Sequence, residues 1–249
     1  MAANTTAVEI EYPERDGRPT GETDIHRDWI MRLILLLQHR FQNEKAYVSG
    51  DLLLYYIEGD TRTFIVPDVF VTKDHPPGRR RVYKLWEEGK TPNFVCELTS
   101  LSTQREDVSK LKKYSQIGVA EVFLFDPTGD YLSPPLQGYK LESDDYEAIR
   151  PNSTGRLYSA ELNAELCLEE SRLVLYDHAT RQCWLTADEA ARAERAVAEA
   201  KRATAEAGRA AAEANRAAAE AERDSHEARA EELEAEVQRL REQLRLQGE

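Results

Sequence analysis

Two apolar runs in this chain each carry a single acid. PDVFVT sets Asp68 beside Val69, Phe70 and Val71, and NFVCELTS sets Glu97 between Cys96 and Leu98. An ionised carboxylate is costly to bury in such a run unless something compensates it. A divalent cation shared by both acids would compensate both, because hard cations take carboxylate oxygens. Lys110 follows close behind Glu97, in the segment REDVSKLKKYSQI. Phosphodiester hydrolysis needs an activated water, neutralised charge at phosphorus and a proton for the leaving alkoxide. Two acids and a lysine around a metal ion suit that chemistry. Each residue also has a plainer reading: Asp68 as a Pro-Asp turn, Glu97 as a buried paired acid, Lys110 as a solvated helix lysine.

The elements that must place these residues can be read in order. Thr23 or Asp24 can cap a helix running through Asn43, with Ile30, Leu33, Leu37 and Phe41 at helical spacing. Tyr47 to Ile57 is rich in strand formers around Gly50-Asp51 and reads as two strands or one bulged strand. Arg62 to Thr72 reads as a further strand, and Lys73 to Thr91 as loop. Asn93 to Leu98, apolar on both sides of Glu97, reads as a central strand. Ser102 or Thr103 can cap a helix to about Gln116, ended by Gly118 in the left-handed region, and Val119 to Asp126 is the next strand. Strand, helix, strand in that order is a parallel crossover. Beyond it come short strands at Gln137–Leu141, Tyr146–Arg150 and Arg172–Tyr176, the last paired with Gln182–Leu185.

Composition bounds the partners. There are 33 basic and 46 acidic residues, a net charge of −13, which argues against a nucleic-acid partner unless basic residues are locally concentrated. They are concentrated at Arg79, Arg80, Arg81 and Lys84, and again at Lys110, Lys112 and Lys113. The first cluster and Lys113 are candidate contacts to a nucleic-acid backbone, with a charged surface loop as the alternative. Three widely spaced cysteines give neither a disulfide framework nor a zinc site, so a reducing cytoplasm is the expected location. No secretory signal and no membrane-length apolar run is read in the sequence, so no membrane partner is expected. The five histidines have no metal-ligand spacing and receive no role.

Near Ala187 the composition changes. AVAEAKR, ATAEAGR, AAAEANR and AAAEAER follow one another from Ala196 to Arg223, a tandem seven-residue repeat of strong helix formers. Farther on, Leu233, Val237, Leu240 and Leu244 alternate steps of three and four, as a coiled coil requires. Upstream the same slots hold alanine and arginine, so only the last part is an oligomerisation surface, for which a homo-oligomer is expected. Three segments result: 1–22 as a loosely ordered arm, 23–186 as the globular domain and 187–249 as a helical, coiled-coil tail.

Taken together and in order, PDVFV, the E-x-T-S of Glu97 to Ser100, the lysine-tyrosine helix Lys110 to Tyr114, GVAEVFLFDP and YLSPPLQGYKL resemble the PD-(D/E)XK nuclease superfamily. Within it they resemble the Uma-type putative restriction endonuclease family, over about Thr23 to Leu185. The resemblance implies a restriction-endonuclease-like α/β core, a central mixed sheet flanked by helices. It also implies Mg²⁺ (Mn²⁺ as the alternative) held by Asp68 and Glu97, and DNA as substrate. One position departs from the superfamily pattern. Thr99 stands where a lysine is expected two residues after the Glu, and Lys110 is the position that matches the helix lysine of the Uma-type family. Two rival readings remain: a nuclease fold that binds nucleic acid without cutting it, and an assembly protein whose working part is the long helix.

Overall fold

A computed structural model describes residues 11–15, 23–100 and 104–247. The first helix, α1 (Asp24–Arg40), starts where Thr23 accepts the His26 backbone N–H at 3.2 Å. Its apolar stripe of Ile30, Leu33, Leu36 and Leu37 is buried. The helix stops three residues earlier than its periodicity suggests, with Phe41 as its C-cap. Next come β1 (Ala46–Ser49), β2 (Leu54–Tyr55), β3 (Phe64–Ile65) and β4 (Val69–Lys73).

The strand expected over Arg62–Thr72 is therefore two strands in different sheets. β3 pairs with β2, whereas β4 pairs with β1. Pro67 explains the break, because it has no N–H to give a ladder. Its carbonyl instead accepts the Asp51 N–H at 2.9 Å. The stretch read as loop contains β5 (Tyr83–Lys84) and the one-turn α2 (Leu85–Glu88). β5 joins β2 and β3 in a three-stranded sheet.

β6 (Phe94–Leu98), α3 (Gln104–Ile117) and β7 (Glu121–Phe125) form the crossover, and β6 runs parallel to β7. Gly118 ends α3 at φ +79°, a conformation that suits glycine. The predicted caps Ser102 and Thr103 lie outside the described residues. β8 (Leu136–Glu142) and β9 (Asp145–Ala148) complete a six-stranded mixed sheet in the order β1-β4-β6-β7-β8-β9. Its side chains alternate between two cores, as strand geometry requires. Val69, Val71, Phe94, Cys96 and Phe123 pack with α1, whereas Phe70, Val95, Val122 and Leu124 pack with Tyr114 of α3. The expected α/β core, a mixed sheet with helices on its faces, is the observed one.

A third sheet, β10 (Leu157–Ser159), β11 (Ala164–Glu169) and β12 (Arg172–Asp177), adds Leu157, Leu166, Leu173 and Leu175 to the α1 core. The sequence reading pairs β12 only with Gln182–Leu185. Here β11 is its full partner, and Tyr176–Cys183 is a single bridge on its other side. Glu121 ties this sheet to the large one, accepting from the Ser159 hydroxyl and from the Ala160 N–H at 2.8 Å. Of the segment 1–22, residues 11–15 are described: Tyr55 donates to the Pro13 carbonyl at 2.7 Å, and the Tyr12 and Tyr55 rings meet edge to face. The rest of that segment lies outside the described residues.

The chain divides after Ala190 into two compact units. The second consists of most of α4 (Ala187–Gln247), an unbroken helix of 61 residues. At about 1.5 Å per residue such a helix is roughly 90 Å long. Among the described residues no helix is long and apolar enough to cross a membrane.

Candidate functional site

β4 and β6 are antiparallel, with Val69 opposite Cys96. One step along the same register sets Asp68 opposite Glu97. Both belong to the set of positions that faces α3, since side chains two apart share a face. Asp68 is fixed there by the backbone: its Oδ2 accepts the Leu98 N–H at 2.7 Å. Gly50 holds the same segment from behind. A Cβ added at Gly50 would lie 2.0 Å from the Asp68 carbonyl oxygen, so only glycine permits this approach.

Helix α3 supplies the remaining groups from one face. Lys110 Nζ donates to Glu97 Oε2 at 2.6 Å, and the Tyr114 hydroxyl donates to Glu97 Oε1. Asp107, one turn earlier, is buried and accepts from the Tyr131 hydroxyl. The spacing 107, 110, 114 is that of one helical stripe. Tyr131 is delivered by a loop wound around Asp126, whose carboxylate accepts the N–H groups of Gly129, Tyr131 and Leu132. Thr99 is buried two residues after Glu97, and its N–H bonds the Phe125 carbonyl at 2.8 Å. The ammonium nearest Glu97 thus arrives from the helix.

Burial dominates the electrostatics. The Glu97 side chain is 2% exposed and that of Lys110 20%. Burial raises the Glu97 carboxyl to about 8, and although Lys110 and Tyr114 pull it down, Asp68 adds to the rise. Asp68 moves the other way. Burial would raise it, but His26, Lys110 and the Leu98 N–H together hold it below the usual carboxylate range. Lys110 is kept protonated, because Glu97 and Asp68 outweigh the cost of its burial. The two acids are therefore driven apart, one favouring its anion and one its neutral form.

The sequence reading assigns His26 nothing, yet its Nε2 lies 3.7 Å from Asp68 Oδ2, an ion-pair distance too long for a direct hydrogen bond. Only the fold brings the first turn of α1 to Asp68. Asp107 and Tyr131 are likewise absent from the sequence reading, although the 107–110–114 spacing was a usable signal. Arg80 lies elsewhere, inside its own cluster. Its guanidinium sits 3.9 Å from the Tyr47 ring centroid and donates to Glu88 at 2.7 Å, while His75 bonds the same carboxylate. Arg79 is exposed, Arg81 pairs with Glu14, and Lys113 is half-buried on α3.

Among the described residues no group of three or more His, Cys, Asp and Glu side chains is arranged to hold a metal ion. Asp68 and Glu97 together still fit a hard divalent cation that keeps most of its ligands as water and substrate oxygens. A carboxylate oxygen has two lone pairs, so the bonds from Leu98, Lys110 and Tyr114 leave acceptor capacity on both groups.

The Uma2 family, described as "Putative restriction endonuclease", matches residues 2–169. A crystal structure of a putative nuclease of the family DUF820 from Anabaena variabilis ATCC 29413 is similar at 16% identity and a TM-score of 0.37, covering 58% of this chain and 77% of that one. No curated protein matches the chain.

Proposed function

The chain belongs to the Uma2 putative restriction endonuclease family, and on that premise we propose that it is a Mg²⁺-dependent deoxyribonuclease working in the cytoplasm. Asp68 and Glu97 would hold the ion, with Mn²⁺ as a substitute, and Lys110 acts at the scissile phosphate. The observation that carries this reading is Lys110 Nζ at 2.6 Å from Glu97 Oε2, with Asp68 at the facing position of the next strand. A bound divalent ion supplies Lewis acidity toward a phosphoryl oxygen and lowers the pKa of a water.

The chain's own groups do the rest. The Lys110 ammonium donates to a non-bridging phosphate oxygen and offsets the charge that grows there as water attacks and the bond to the leaving oxygen breaks. Tyr114 holds the Glu97 carboxylate in one orientation, and the Leu98 N–H does the same for Asp68. Exposed Arg79 and Arg81, with Lys113, would meet the DNA backbone without reading sequence. The binding-only reading has Thr99 in its favour, but a lysine already stands beside Glu97 by another route.

The test is cleavage of supercoiled plasmid DNA with Mg²⁺ or Mn²⁺ by wild type, Asp68→Ala, Glu97→Ala and Lys110→Ala. Wild type should cut and all three variants should fail. Cutting by Lys110→Ala at the wild-type rate removes the lysine from the mechanism. A wild type that binds DNA without cutting any duplex or single strand replaces the nuclease with a binding module.

A further inference from the structure

The far end of α4 carries an exposed apolar stripe. Leu233, Val237 and Leu240 are 55%, 45% and 53% exposed on one stripe of an unbroken helix. Their steps of four and three assign Leu233 and Leu240 to heptad position d and Val237 to position a, with Ala230 and Leu244 at the flanking a positions. Among parallel coils, a β-branched residue at a with leucine at d favours two strands.

The flanking charges agree. Position g holds Arg229 and Glu236, and position e holds Glu234 and Arg241. In a parallel, in-register pair each g residue meets the e residue five positions on in the other strand. Arg229 then meets Glu234, and Glu236 meets Arg241, so both contacts are attractive and each occurs twice by symmetry.

We propose that residues 229–244 form a parallel, in-register two-stranded coiled coil with a second copy of this chain. The coil ends upstream at Arg223 and His226, which occupy the next a and d slots and would face their own copies. The seam is only about two heptads long, so association is weak and concentration-dependent. This inference does not depend on the nuclease reading.

Sedimentation equilibrium of the full chain across the micromolar range tests it. Wild type should show a monomer–dimer equilibrium, and Leu233→Asp with Leu240→Asp should be monomeric. Glu236→Arg turns two attractive contacts repulsive and should weaken the dimer roughly tenfold, about 1.4 kcal/mol. Adding Arg241→Glu exchanges the charges and should restore it. In an antiparallel pair e faces e, so the same exchange would set two acids together and weaken association further. That result, a monomeric wild type, or a dimer that survives the double leucine substitution would overturn the proposal. All the substituted residues are on the exposed helix, so the globular unit stays folded.

Discussion

Glu97→Gln should make the metal-free protein more stable as the pH rises, relative to wild type. Glutamine keeps the shape of the side chain and cannot ionise. In wild type the Glu97 carboxyl is raised to about 8 by burial, against 4.5 for an unburied group. An acid whose folded pKa is raised binds a proton on folding, so its contribution is fully present below 4.5 and is lost as the pH climbs to 8. The slope is about 1.4 kcal/mol per pH unit inside that window. Allowing for the taper near 8, wild type should lose roughly 2–3 kcal/mol between pH 5.5 and 7.5 that Glu97→Gln keeps. Glu97 is almost completely buried, so solvent screening does not reduce the figure. The depressed acid Asp68 does not enter this window: its contribution is lost only in stronger acid. Histidines remote from the site are common to both proteins and cancel in the difference. The assay is urea denaturation with a chelator present, followed by tryptophan fluorescence, since Trp29, Trp86 and Trp184 all lie before α4. Parallel stability curves for the two proteins across this range would refute the reasoning, because Glu97 would then be ionised throughout.

Four other variants probe the globular unit. Gly50→Ala puts a Cβ 2.0 Å from the Asp68 carbonyl and should cost about 2 kcal/mol or more in urea denaturation, with cleavage impaired beyond what the lost stability explains; a variant that melts and cuts like wild type would refute the contact. Tyr114→Phe removes a donor from Glu97 Oε1, should cost about 1–3 kcal/mol, and should move the pH at which Mn²⁺ binding half-develops upward in calorimetry. Arg80→Ala strips the cation from the Tyr47 ring and from Glu88 and should cost roughly 2 kcal/mol. Arg79→Ala with Arg81→Ala should stay within about 0.5 kcal/mol and instead flatten the salt dependence of DNA binding.

The two acids were legible because each breaks an apolar run, and such a break is visible without knowing the fold. Lys110 was legible through the ordered motifs rather than through its own spacing to Glu97. What stayed hidden depends on contacts between distant segments. His26 reaches Asp68 across 42 positions, Gly50 meets the Asp68 carbonyl across 18, and Tyr131 reaches back to Asp107 across 24. No local period encodes such pairings. The broken strand at Pro67 was a different kind of loss. Arg62 to Thr72 is apolar enough to read as one strand, and the missing proline N–H decides that it is two. β10 was missed because it is only three residues long, and β11 because Glu165 interrupts its apolar run, although that acid is buried against Arg181 and His178.

The single stripe of α3 that carries Asp107, Lys110 and Tyr114 has a consequence for when the chain becomes chemically competent. The lysine and the tyrosine meet the sheet only once the helix has docked. A chain caught before docking has two facing carboxylates that repel each other and no ammonium between them. On the function proposed above, docking of α3 is the step that completes the site, because the same packing that buries the helix delivers the lysine.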